Sequence, residues 1–307
     1  MEGMTLDSER PPREDYLPSL PSTSNYKFVE KMVNLEVDGH YFKCDIKAFM
    51  ADVDAILDQK SHVDKTSLQR MIDAYRSMMP EGKINVKFVT KMHWKQGFIN
   101  SHVQMKQVAR WMMACQEFGD LPIGDKSKIF TQHWQKVSLL ERSHHSMEYS
   151  KKIPKPECFL ITDALAVPPF GPEYTGDPGY EDRTRIASEQ FTQINKELWE
   201  KVHEPLRKMK MTEFEVVFLC FQRMWDVKNI EGLDPRTYEI AEIVLERMGA
   251  ELHNRYNHEL MMQSYACRLM KALELLSSLE EVFETVRRKM LLMDAFGVFK
   301  ISLNEFW

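Results

Sequence analysis

Trp111-Met-Met-Ala-Cys-Gln-Glu-Phe-Gly-Asp-Leu-Pro-Ile-Gly-Asp-Lys-Ser-Lys-Ile-Phe130 is the stretch whose reading decides the fold. It lies at the centre of a longer pattern from Trp94 to Met147 that predicts two amphipathic helices joined by a tight break. On the upstream side, Trp94, Phe98, Met105, Val108, Met112 and Cys115 recur at steps of three, four or seven, which places them on one stripe of a 3.6-residue helix. Such a stripe must be buried. Two glycines and a proline between Phe118 and Gly124 stop that helix, and Asp125 stands where it can cap the next by accepting from its free amides. Ile129, Phe130, Trp134, Val137 and Leu140, with His133 or Arg142, mark the inner side of the second helix.

The spacing is more specific than two helices and a turn require. Trp111, Phe118, Leu121, the Asp125-Lys126 pair and Phe130 resemble the signature of nuclear hormone receptor ligand-binding domains, with Ile129 in place of the usual Leu or Val. Met112 and Met113 depart from it, standing where the family has a small residue and then, typically, a Lys. An unrelated helical bundle could share the apolar stripes, but periodicity alone does not supply the Asp-Lys pair at this spacing. The resemblance implies an all-α, three-layer helical sandwich with one short β-hairpin.

Composition bounds the function. The 307 residues are 43% hydrophobic, enough for a substantial core, and suggest one large or two ordinary domains. Net charge is −5, and the 41 Lys and Arg residues are dispersed, so there is no basic footprint for nucleic acid. Twenty-one methionines suit an adaptable apolar interior. Five scattered cysteines without a CxxC pair disfavour a disulfide framework or a cysteine zinc site and point to a reducing compartment. No apolar run approaches the roughly 18 residues that span a bilayer, and the acidic start is not a signal peptide; a soluble, intracellular chain is expected.

Residues 1–25, with Pro11, Pro12, Pro18 and Pro21, read as a flexible arm, and 26–307 as one domain. From Tyr26 to Met79, Phe28, Met32, Leu35, Ile46, Phe49 and Val53 fit short helices, broken at Asp38-Gly39 and Pro80-Glu-Gly82. Two apolar runs around Thr162-Asp163 predict a hairpin, and Pro168 to Asp182 reads as a long surface loop. Helices resume with Phe191, Ile194, Leu198 and Val202, ending at His203-Glu-Pro205. A capping box at Thr212-Glu-Phe-Glu215 opens the next. Asp234-Pro235 starts another, running to about Tyr256, and a Leu-rich helix follows from about Leu260 to Lys289. This order is again similar to the back half of the receptor domain, and the loop chemistry and Met-rich style look most like the nematode branch of the family.

Enzyme chemistry finds no support: there is no GxSxG, P-loop, GxGxxG or HExxH, and the Ser, Cys and His residues are too scattered for a triad. His144 and His145 diverge around a helix, while His253 and His258 are badly spaced for a shared metal, so no metal or cofactor is expected. The resemblance implies instead a cavity for a small lipophilic ligand. Counted from Trp111, its inward candidates are Trp94, Phe98, Ser101, Gln104, Met105 and Val108, with Leu139, Arg142 and His145 opposite, each of which could equally be ordinary packing. Steroid receptors have an Arg where His145 stands, which argues against a steroid-like ligand.

The family also implies nuclear location, a dimer with itself or another receptor through the Leu-rich helix, and coregulator binding. Beyond Gly297, Phe299, Leu303, Phe306 and Trp307 fall on one face of a predicted short helix. Leu303, Glu305, Phe306 and Trp307 match the family's closing helix while Ser302 does not; with Lys126 they would grip a coactivator's LxxLL helix. A merely structural helix, with Ser302 and Glu305 as a capping box, is the alternative. Family receptors usually carry a DNA-binding module that needs eight Cys ligands, more than this chain has. The chain is then a fragment, a short isoform, or a protein that reaches DNA through a partner receptor. Two functions follow: a small-molecule-responsive regulator of transcription, or a ligand-independent module that dimerises with and modulates other receptors.

Overall fold

The computed structural model describes residues 43–44, 47–59, 67–78, 86–152, 157–176, 179–262, 264–298 and 300–301. The expected N-terminal arm, the Phe28, Met32, Leu35 and Ile46 positions, and Leu303 to Trp307 lie outside the described residues.

In chain order, strand β1 (Lys43–Cys44) precedes helices α1 (Lys47–Leu57) and α2 (Ser67–Ser77), strands β2 (Lys87–Phe88) and β3 (Lys91–His93), and the long helix α3 (Trp94–Met113). A short α4 (Gln116–Gly119) leads into α5 (Ile123–Ser150). The hairpin β4 (Phe159–Thr162) and β5 (Leu165–Val167), then β6 (Glu173–Thr175), precede α6 (Glu181–Leu198). A π-turn (Trp199–His203) continues into α7 (Glu204–Lys208), followed by α8 (Glu213–Met224), α9 (Pro235–Asn254), α10 (Ala266–Ala295) and strand β7 (Lys300–Ile301). The fold is the expected helical sandwich: α1, α2 and α3 on one side, α5 against α8 in the middle, and α6 and α10 on the other, with α9 beside α8.

The signature residues hold these layers together. Trp111 is fully buried, and its indole N–H donates to the Met71 carbonyl at 3.2 Å, fixing α3 against α2. Phe118 meets Trp225 edge-on at 6.3 Å, and Phe130 stacks on Trp134. Asp125 does not cap α5: the helix starts earlier, after Pro122, and the Asp125 carboxylate instead accepts from the Asp234 N–H at 2.9 Å and the Thr237 hydroxyl at 2.6 Å. Proline set the helix start first, because its fixed φ and extended ψ leave Ile123 as the first helical residue.

The other two caps expected from the sequence, at α8 and α9, are present. Thr212 and Glu215 bond reciprocally at the start of α8, and the Asp234 side chain accepts from Arg236 with Pro235 in the first turn of α9. Glu215 does more than cap. Its carboxylate also receives the Tyr256 hydroxyl at 2.5 Å and Arg268 at 2.5 and 2.8 Å, joining α8, the π-turn (Arg255–Glu259) that follows α9, and the start of α10. Gly297, at φ +65°, ends α10 in a Schellman motif in which the Val298 N–H reaches the Met293 carbonyl.

Three expectations are corrected. His203-Glu-Pro205 does not end α6: Pro205 lacks an N–H and crowds the carbonyl four residues back, and the chain accommodates it by widening into the π-turn, where the Glu204 N–H reaches the Trp199 carbonyl. Pro168 to Asp182 is not all loop, since β6 pairs in parallel with β3 and Tyr174 packs on Phe191. Lys300–Ile301 pair in parallel with Lys43–Cys44 as strand, where the expected closing helix would have begun. The hairpin β4–β5 is antiparallel as read, and β2 adds to it in parallel.

Candidate functional site

A mostly apolar, partly open cavity of about 320 Å³ lies between α3, α5, β4, β6, α6 and α10. Helix α3 contributes Trp94, Phe98, Ser101 and Gln104, and α5 contributes Trp134, Ser138, Leu139 and Arg142. Phe191 and Ile194 of α6 and Phe283 and Met290 of α10 close the far side. Trp94 and Phe98 meet edge-on at 5.8 Å, so the mouth of α3 is a rigid aromatic corner. Gly97 sits between them and leaves room where any side chain would reach toward Tyr174, 3.6 Å from the position of its missing Cβ. A second chamber of about 230 Å³ adjoins on the hairpin side and shares Gly97, Ser101, Gln104 and Leu139 with the first.

Trp94, Phe98, Ser101, Gln104, Leu139 and Arg142 line the cavity at the positions counted from the signature. Met105 and Val108 are not among its lining residues: both are fully buried in the main core. His145 is turned away as well. Its ring pairs with the Glu141 carboxylate, and Glu141 also takes the Arg142 guanidinium at 2.5 Å. Arg142 reaches Gln107 at 3.3 Å. Burial pushes the Glu141 carboxyl up, but Arg142 and His145 outweigh it and hold it below the ordinary range. Arg142, the one basic residue among the described lining residues, therefore has its counter-charge behind it.

Beside this cluster the Tyr75 hydroxyl and His144 Nδ1 are 2.8 Å apart, tying α2 to α5. Burial, then His145, lowers the His144 imidazole to about 4, and burial raises the Tyr75 phenol well above its usual value. Both are neutral at pH 7.

Lys126, expected at a coregulator clamp, is 5% exposed, and its Nζ donates to the Gly119 carbonyl at 3.1 Å, stapling α5 to α4. Burial lowers its pKa, against the opposing pull of Asp58 and Asp120. Leu303, Glu305, Phe306 and Trp307 lie outside the described residues. Among the described residues no three His, Cys, Asp or Glu side chains gather as a metal site, and no helix is long and apolar enough to cross a membrane.

The α6, β6 and α10 walls carry no signal in the sequence that marks them as cavity. Phe191 and Ile194 were visible as a helical stripe, but nothing local says which partner a stripe faces. Tyr174 sat in a Pro- and Gly-rich stretch with no strand pattern at all.

The family model for the ligand-binding domain of nuclear hormone receptor matches residues 82–296, which contain the signature, the cavity and the capped helices. The chain belongs to the nuclear hormone receptor ligand-binding domain family. Among its relatives in Caenorhabditis elegans, nuclear hormone receptor family member nhr-213 is 19% identical over 94% of this chain and 71% of the relative. Family member nhr-54 is 22% identical over 99% of this chain and 79% of the relative, and nhr-218 is 20% identical over 91% and 73%. In this receptor domain the signature acts as structural fastening, since Trp111, Asp125 and Lys126 each spend their polar groups on other elements of the chain. Receptors of this family are generally not enzymes.

Proposed function

We propose that this receptor domain binds a small lipophilic molecule in the cavity between α3, α5, α6 and α10 and thereby regulates transcription through coregulators. The observation that carries the reading is the cavity itself: about 320 Å³, mostly apolar, with a few convergent polar groups, in a domain of a receptor family. Lys126, Leu303, Glu305, Phe306 and Trp307 contribute to the groove for an LxxLL helix. Because Lys126 is committed to Gly119 and Met113 stands at the usual clamp Lys, LxxLL affinity is modest. The domain works in the nucleus and dimerises through α10. It has no DNA affinity of its own, consistent with a net charge of −5 and five dispersed cysteines.

A second reading, a ligand-independent module that dimerises with and modulates other receptors, is favoured by the Glu141–Arg142 pair: the basic group on the cavity wall already has its counter-charge. Binding of the neutral lipophilic dye Nile red to the wild type and to Gly97→Leu separates the two. Uptake by the wild type, lost in a folded Gly97→Leu variant, supports the ligand reading; no uptake, or uptake that the variant leaves unchanged, favours the module.

A further inference from the structure

The hairpin-side chamber differs in chemistry from the main cavity. Among the described residues, none that lines it is Asp, Glu, Lys or Arg, yet Asn100, Ser101, Gln104, Ser143 and His203 give it a polar wall. Two polar atoms in that wall are buried without a hydrogen-bond partner: Ser143 Oγ and His203 Nδ1. Ser143 is 1% and His203 3% exposed. Orphaned polar groups at such depth are rare and costly, because burial strips them of water and gives nothing back.

His203 is there because of the π-turn. Without the wider turn that Pro205 imposes, the ring would lie elsewhere around the helix; in this turn it stacks on Trp199 at 4.0 Å and meets Phe159 edge-on at 6.0 Å. Single π-turns inside helices occur frequently at functional sites. Burial lowers the imidazole to about 4, so at pH 7 it is neutral, with one nitrogen to donate and one to accept. Serine likewise donates or accepts.

Gly97, Ser101, Gln104 and Leu139 belong to both chambers, so one molecule can extend from one into the other. A carboxylate head would lose its hydration in a chamber with no cation, and Arg142 next door is already paired. We infer that the hairpin-side chamber takes the uncharged hydrogen-bonding head, a hydroxyl or carbonyl, of an amphipathic lipophile, held by Ser143 and His203 while its apolar body fills the main cavity. This rests on the ligand-binding reading and adds the class of ligand.

The test is displacement of Nile red by dodecan-1-ol and by dodecanoate from the wild type, Ser143→Ala and His203→Phe, with thermal unfolding to show that the variants fold. The wild type is expected to prefer the alcohol by about tenfold, and each variant to weaken the alcohol about fivefold while changing dodecanoate less than twofold. Dodecanoate competing as well as the alcohol, or alcohol binding unchanged in both folded variants, overturns the inference and leaves the ligand reading standing. The wild-type preference decides the matter even if both variants unfold. Nile red that neither compound displaces and that Gly97→Leu does not affect removes the ligand reading and this inference with it.

Discussion

The Asp125 carboxylate accepts a 2.6 Å hydrogen bond from the Thr237 hydroxyl, 112 residues away in sequence, and both groups are buried. The same carboxylate oxygen takes the Asp234 N–H, so the start of α5 is locked to the start of α9. Asp125→Ala leaves a buried hydroxyl and a backbone amide unpaired and should lower stability by about 1–3 kcal/mol. Thr237→Val, which keeps shape and removes one donor, should cost less. Urea denaturation checks both; an unchanged midpoint in Asp125→Ala would show that the bond is dispensable.

Acid should release the hub at Glu215. Burial raises its pKa, but Arg268, the Thr212 amide and Tyr256 outweigh that and hold it at about 2, below the ordinary 4.5. A carboxyl depressed in the folded state stabilises fully above about 4.5, and that contribution is lost as pH falls from 4.5 toward 2. Stability measured across this window should decline in the wild type and decline less in Glu215→Gln. Parallel pH profiles for the two proteins would refute the assignment.

Gly97 lies inside α3, where glycine is a poor helix former, and a Cβ there meets Tyr174 at an ordinary 3.6 Å. Gly97→Ala is therefore expected to stabilise the domain by about 0.5–1 kcal/mol. A loss of stability in thermal or urea unfolding would mean that the space beside Tyr174 is tighter than it looks.

On α10, Ala272, Leu275, Leu276 and Leu279 are buried, whereas Met270 is 63% and Leu273 39% exposed. Charging both, Met270→Glu with Leu273→Glu, should shift sedimentation toward the monomer, by at least tenfold in the dimer dissociation constant if these side chains sit in the interface core. Unchanged sedimentation of a dimeric wild type and its variant would move the dimer surface elsewhere.

What could be read from the sequence depended on how local each cause was. The helices, the Thr212–Glu215 and Asp234–Pro235 caps and the Phe159–Val167 hairpin follow from residues within a few positions of one another. Counting from Trp111 also reached Trp94, Phe98, Ser101, Gln104, Leu139 and Arg142, because one helix and its neighbour in register hold them all. Met105, Val108 and His145, inward by the same count, lie outside the cavity lining, since a helix with buried residues around most of its surface has more than one apolar face. The role of Asp125, the β3–β6 pairing and the place of His203 depend on contacts or a π-turn that no local pattern announces.

The most direct test of the central claim is native mass spectrometry of the chain purified from its own cells. The account predicts a complex heavier than the protein by one small lipophile, released by organic extraction and absent from Gly97→Leu prepared in the same way. Only the bare protein mass in both preparations, from gently handled and folded material, would contradict it.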